Sequence, residues 1–290
     1  MSWSLVENSY GKSRVRVTKV TRLADRHDYK ELSVDIQLYG DFAKSYTDGD
    51  NSSVVPTDTM KNTVYAIASS HPLDSIESFG KALVEYFLGE YSHIDAVSVS
   101  IAEDLWVRIP YNGGQHPYAF TGGSKEKRIT HVDAARDGNI ETESGIEDLV
   151  VVKTTASEFH GYIKDKWTTL PETNDRIFGT AVRAVWSYKN GAPVDYNAVH
   201  EKVRATALRV FCEHHSLAVQ QTLYEMAKQA LDACDVIDEI RIEMPNQHRI
   251  PFDLTRLGLE NKNEIFVTTD EPFGLISATV TRAPVAALPL

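Results

Sequence analysis

A chain of 290 residues with 42% hydrophobic and 24% charged side chains can bury one large core or two of ordinary size, and this composition excludes a disordered chain. The net charge of −11 repels phosphate backbones and argues against a nucleic-acid partner, while leaving room for a local basic pocket around a small anion. No apolar run reaches membrane-spanning length, and Met1 to Arg16 lacks the apolar stretch of a signal peptide, so a soluble, cytoplasmic protein is expected. The C-terminal Leu288-Pro289-Leu290 is not the Ser-Lys-Leu peroxisomal address.

In chain order, Arg14 to Val20 alternates apolar and polar residues with period two and predicts a half-buried strand, as does Glu31 to Leu38. The polar run Asp48 to Ser53 predicts a loop that leads to the cluster Thr57-Asp58-Thr59. Ile76, Phe79, Leu83 and Phe87 share one helical face, with Asp74 and Glu77 as the expected cap, and a strand pair follows at Val97 to Ile101 and Trp106 to Ile109. Further strands are expected at Leu149 to Lys153 and Ala181 to Tyr188. Two helices follow, marked by Val199, Val203 and Val210 and by Leu217, Leu223, Met226, Ala230 and Leu231. Ile237 to Met244 then repeats the pattern and the Ile-Asp start of Ile94 to Ile101, which suggests an internal duplication. The layout is α+β: antiparallel strands with helices on one face, in two similar modules packed as one rigid unit, 1–140 and 141–290, joined near Asp137 to Glu143. Cys212 and Cys234 flank the second of these helices, too far apart for a disulfide, and are expected as free thiols.

Polar residues at strand ends and turns are the candidates for chemistry, because such positions face clefts on a rigid base. They are Lys12, Thr57 and Asp58, the segment Phe159 to Arg176, Asn246 and His248, and Val219-Gln220 at a helix start, where free backbone N–H groups can meet an anion. Taken singly, each has an ordinary explanation. Exposed lysines are the norm, Thr-Asp pairs often cap turns, a strand histidine is often a bonded core residue, Phe159 suits a core, and Arg176 beside Asp175 suits a surface ion pair. His214-His215 is a poor chelate because adjacent helical residues point apart, and no metal or nucleotide motif is present.

The ordered strings YGKSRVRVTKV from Tyr10, GDNSSVVPTDTMKNTVY from Gly49, EFHGYIKDKWTTLPETNDRIF from Glu158, SLAVQQTLYEM from Ser216 and PNQHRI from Pro245 change this reading. Together they resemble the urate oxidase (uricase) family along nearly the whole chain. The resemblance implies two tandem tunnelling-fold modules whose sheets join those of other subunits into a barrel, usually in a homotetramer with active sites between subunits. Lys12 and Thr57 are then expected from one chain, and Phe159, Arg176, Gln220, Asn246 and His248 from its neighbour. It further implies oxidation of urate by O2 to 5-hydroxyisourate and hydrogen peroxide with no cofactor: neither flavin, haem nor copper. Arg176 and Gln220 would grip the rim of the purine, Phe159 its face, and the backbone N–H groups of Asp58 and Val219 its remaining rim atoms. Lys12, Thr57 and His248 would relay protons, with a neutral Lys12 amine favoured by desolvation, and Asn246 and Thr57 would hold the oxygen species. Pro56 stands where the family commonly has a small residue, and Arg249 where an aromatic or His is common. The competing readings are a purine binder without turnover and another tunnelling-fold enzyme acting on pterins or purines. The cysteine placement argues against the latter, because such enzymes typically need a zinc site or a nucleophilic cysteine.

Overall fold

The strands follow the predicted alternation and extend beyond it in the computed structural model, which describes residues 3–282. The chain forms two compact units, Met1–Gly145 and Ile146–Leu290. In the first, β1 (Tyr10–Arg22) pairs antiparallel with β2 (His27–Gly40). A short helix α1 (Ala43–Thr47) precedes α2 (Thr57–Ser70) and α3 (Ile76–Glu90), and β3 (Ile94–Tyr111) and β4 (Gly114–Ala135) complete the sheet beside β2. In β2 the alternate residues Leu32, Val34, Ile36 and Leu38 are buried against Phe79, Leu83 and Phe87 of α3 and Met60 and Val64 of α2. Burying each such side chain stabilises by roughly 1.5–3 kcal/mol, and a one-residue slip would expose the whole row, so the core fixes the register.

The second unit repeats the order. It runs from the later part of β5 (Ile140–Lys153), whose first residues up to Gly145 belong to the first unit, through β6 (Phe178–Tyr188), α4 (Tyr196–Glu213) and α5 (Val219–Ala233) to β7 (Ile237–Pro251) and β8 (Phe266–Thr281), with a 3-10 turn at Thr255–Leu257. β7 pairs antiparallel with β6 and β8. Trp186, Phe178, Leu223, Met226, Ile240 and Ile242 centre its own core. Asp195 caps α4 by accepting from Ala198 N at 3.0 Å. Cys212 is exposed and Cys234 buried, both as free thiols. The α+β class read from the sequence is the architecture observed.

Several elements differ from expectation. The Thr57 cluster opens a full helix, α2, whose buried stripe of Met60, Val64 and Ala68 is narrow. Trp106 to Ile109 is the outer part of the single long strand β3, set off by register shifts after Asp104 and Arg108. β4 was not expected: Pro117 and Gly122-Gly123 interrupt its pattern. The cap of α3 is Ser75, whose side chain accepts from Ser78 N, rather than Asp74 with Glu77. Glu77 instead turns inward, fully buried, accepting from Arg128 Nη2 at 2.8 Å and Ser144 Oγ at 2.6 Å.

No helix among the described residues is long and apolar enough to cross a membrane, and Leu288 to Leu290 lie outside them. The Glu77–Arg128 pair gives a direct test of the core. Glu77→Ala removes a fully buried carboxylate that accepts from both Arg128 and Ser144 and is expected to cost roughly 3–5 kcal/mol in chemical denaturation, with Glu77→Gln costing less.

Candidate active-site residues in the two units

In the first unit the candidate residues gather where β1 meets the start of α2. Lys12 pairs with Ile36, and Val15 is the next ladder partner, with Val34, so one extra residue bulges out between them. Arg14 takes up the bulge at φ 55°, and its N–H donates to Asp35 Oδ1 at 2.8 Å. Paired residues share a sheet face, so Lys12 and Tyr10, opposite buried Ile36 and Leu38, lie on the core side. Straight alternation from Val15 and Val17 would have put Lys12 outside. The close approach of β1 to β2 requires Gly11, because a Cβ there would sit 1.9 Å from Ile36 O.

Tyr10 ties this strand end to α2: its hydroxyl accepts from Val55 N at 2.7 Å, just before Thr57. Pro56 is the N-cap residue, and its carbonyl accepts the first helical bond from Met60 N at 3.1 Å. Pro56 has no side-chain acceptor to cap this helix, so the N–H groups of Thr57, Asp58 and Thr59 make the positive end of α2. The Asp58 carboxylate accepts from Lys61 and, at 3.0 Å, from Asn62. The Lys61 hydrogen bond and charge hold its pKa below the ordinary carboxylate range, and Lys12 makes a smaller contribution in the same direction.

In the second unit Phe159, Arg176, Asn246 and His248 line one cleft of about 380 Å³, together with Leu170, Ile177, Arg249 and Phe266. Phe159 and Arg176 come from residues 154–177 between β5 and β6, folded back on themselves by bonds from Phe159 N to Thr173 O (2.8 Å) and from Arg176 N to Ser157 O (2.8 Å). Phe159 stacks on Tyr162 with ring centroids 4.8 Å apart, and the Arg176 guanidinium lies 5.1 Å from the Phe159 centroid.

Asp175 does not pair with Arg176; it accepts from the Thr155 hydroxyl at 2.9 Å. Burial alone lowers the Arg176 pKa, and its Nε is buried without a hydrogen-bond partner among the described residues. A guanidinium remains charged in proteins, so this one is a half-desolvated cation beside a cleft.

Asn246 and His248 continue the parity of the buried Ile240, Ile242 and Met244 along β7. This places polar residues in a core-facing row of β7. There β8 breaks register: Asn246 pairs with Gly274 but His248 with Thr269, so the intervening β8 residues loop away. Arg249 turns its guanidinium to the carbonyls of Gln247 (2.9 Å) and His248 (3.3 Å). Leu170, Ile177 and Phe266 were missed because isolated apolar residues read as core.

Val219 and Gln220 do not line that cleft; they open α5. Val219 is buried, so only its backbone can face a ligand, whereas Gln220 is exposed. The first helical donor is Thr222 N, to Ala218 O. The segment before α5 is stitched to the Phe159 segment, with Glu158 N donating to Ser216 O at 2.7 Å and Ser216 N to Ala156 O at 3.0 Å. Among the described residues no cluster of three or more His, Cys, Asp or Glu is arranged to hold a metal ion.

The Glu158 carboxylate lies 2.5 Å from His215 Nε2 and 2.9 Å from His160 Nε2, and these bonds, His215 first, lower its pKa. A lowered carboxylate adds stability above its ordinary value of 4.5 and loses it as pH falls through the folded value. Carboxyl 13C NMR is expected to find Glu158 titrating below 4.5, and His215→Ala to move that midpoint upward.

The chain matches the family model described as uricase over residues 8–133 and 142–277. It is 43% identical over 280 residues to the uricase of Arthrobacter globiformis, spanning 96% of this chain and 90% of that protein. It is 38% identical over 283 residues to the uricase of Dictyostelium discoideum, spanning 97% and 98%. The crystal structure of the Arthrobacter globiformis uricase superposes with a TM-score of 0.92 at 41% identity, covering all of this chain and 98% of the other. That of the urate oxidase of Bacillus sp. TB-90 gives 0.85 at 26% identity, covering 95% and 100%. With the family model spanning both units and these relatives matching almost end to end, the chain belongs to the uricase family.

Proposed function

We propose that this protein oxidises urate with molecular oxygen and water to 5-hydroxyisourate and hydrogen peroxide. The observation that carries the reading is Arg176: a half-buried guanidinium with an unpartnered Nε, beside the Phe159 ring in a cleft shared with Asn246 and His248. Urate is a flat purine anion, and a rigid guanidinium fork beside an aromatic face suits its charge and its shape. Family membership supplies the substrate.

In this reading Arg176 and Gln220 hold opposite edges of the ring, Phe159 lies against its face, and the backbone N–H groups of Asp58 and Val219 reach the remaining rim atoms. Both N–H groups lie in the first turn of a helix, where donors have no intrahelical partner and the helix dipole favours an anion. Lys12, Thr57 and His248 move protons, and Asn246 with Thr57 holds oxygen and then peroxide over the ring. Lys12 lies near the start of β1 and Thr57 opens α2, whereas Asn246 and His248 share β7. In a homotetramer whose sheets close into a barrel, the first pair from one subunit would complete the second from its neighbour. Urate is the electron donor: it loses two electrons to O2, water supplies the added hydroxyl, and no organic cofactor or metal is required.

Urate-dependent oxygen uptake by metal-stripped protein tests this. Uptake is expected to survive chelation and to fall by roughly 100-fold or more in Lys12→Met, the range of a lost proton-transfer group. Urate binding without uptake would instead identify a purine binder. Arg176→Lys keeps the charge but loses the fork, and is expected to raise KM for urate by about 10-fold or more. An unchanged KM would remove Arg176 from the urate site.

A further inference from the structure

We infer that Glu158 is a positioning residue for the urate site, a carboxylate clasp that sets the spacing between the segment carrying Phe159 and the segment carrying Gln220. The inference rests on the proposed urate reaction and goes beyond it, because Glu158 faces two histidines and is not assigned to substrate.

The residues from Ala156 to Phe159 form a junction of three strands of chain. Ser157 O accepts from Arg176 N at 2.8 Å, Phe159 N donates to Thr173 O at 2.8 Å, and Glu158 N donates to Ser216 O at 2.7 Å. Ala156 makes the turn into this junction at φ 57°, a conformation that non-glycine residues adopt only where the surroundings hold them. The backbone alone therefore joins the Phe159 segment to residue 216.

One residue before Ser216, on the segment that leads into α5 and Gln220, the Glu158 side chain adds a second link across the junction. Oε1 takes His215 Nε2 from across the junction at 2.5 Å, and Oε2 takes His160 Nε2 from its own segment at 2.9 Å. A carboxylate only accepts, so each bond requires a proton on Nε2, which the neutral Nε2–H tautomer and the imidazolium both supply.

No lysine or arginine pairs with Glu158 among the described residues; its ion-pair partners are these two imidazoles. The carboxylate side chain is 18% exposed, while the rings are 49% and 55% exposed. A pair this close to solvent contributes little to global stability. It fixes a distance instead, since His215 is five positions before Gln220 and Glu158 immediately precedes Phe159. The clasp thus couples the residue under the purine face to the residue at its rim. Misplacing binding groups by a fraction of an ångström to an ångström is enough to weaken a substrate clamp.

The test uses the full-length protein in its native assembly, with KM and kcat for urate-dependent oxygen uptake and thermal midpoints for wild type, E158A, E158Q, H215A and the E158A/H215A double variant. E158A is expected to raise KM about five-fold or more with kcat within two-fold and an almost unchanged thermal midpoint. E158Q, which keeps one acceptor oxygen, is expected to fall between. The double variant is expected to be no worse than E158A, because both changes cut one link. A KM within two-fold of wild type in E158A, a loss confined to kcat, or fully additive effects in the double variant would overturn the clasp. Should E158A not fold, H215A cuts the same link from its exposed side and is read by the same criteria. A wild type without urate-dependent uptake would sink the proposed reaction itself, an outcome distinct from an active wild type indifferent to E158A.

Discussion

The constraint on which the rest of this structure depends is that each unit seals one face of its strands under a pair of helices. Alternate residues of β2 and of β7 are buried to within a few per cent, and each is worth roughly 1.5–3 kcal/mol, so parity along a strand cannot drift. Where a polar residue occupies a core-facing position, it must lie at the margin of the helix cover or find a partner. Lys12 and the pair Asn246 and His248 are residues of this kind, half-buried near the ends of β1 and β7. The proposed chemistry therefore sits where the core-facing row outruns its covering helices. Register breaks mark the same places: a single-residue bulge after Lys12, and the outward loop of β8 opposite Asn246 and His248.

The electrostatics follow the same local logic. A chain carrying −11 overall has no field that draws anions, so an anionic substrate must be met by a local charge. Arg16, Arg108 and Arg128 are each committed to a carboxylate, whereas Arg176 is perturbed by burial alone. A desolvated cation without a counter-ion is costly in an empty cleft and favourable once a planar anion fills it. The helix starts at α2 and α5 add donors without further charge, so the proposed urate clamp takes its charge from Arg176, with Arg249, held on the Gln247 and His248 carbonyls, lining the same cleft.

Much of the fold was legible because its signals are local. Period-two rows in β1, β2, β6 and β7 and the 3.6-residue stripes of α3 to α5 are visible without a partner chain. α2 was harder, since the Thr57-Asp58-Thr59 start imitates a turn and the buried stripe behind it is only a few residues wide. β4 was hidden by Pro117 and the Gly122-Gly123 pair, because an outer hairpin arm does not need a continuous apolar row. The candidate site residues were individually unremarkable, and their order along the chain singled them out. What the sequence could not give was their parity. The bulge at Ser13-Arg14 turns Lys12 onto the core side, and a bulge is invisible to a pattern that assumes strict alternation.

The repeated order of elements lets one plan carry unlike parts. Both units run strand, strand, helix pair, strand, strand, yet the first joins β1 to β2 through a tight turn closed by Leu23 N on Arg26 O at 2.9 Å. At the equivalent junction the second unit places residues 154–177 between β5 and β6. A connection of that length is uncommon in a compact domain unless it serves a function, and ordering it costs conformational entropy that a short turn avoids. Here the ordering is held by backbone bonds among residues 157, 159, 173 and 176 and by the Glu158 link to His215. That loop carries both the aromatic face and the cation of the proposed urate site. The first unit, lacking it, contributes groups that suit proton transfer instead: Lys12 on its bulged strand and Thr57 at an uncapped helix start. In the proposed reaction that long connection thus concentrates urate-holding groups in the second unit, while the relay draws Lys12 and Thr57 from the first unit and His248 from the second.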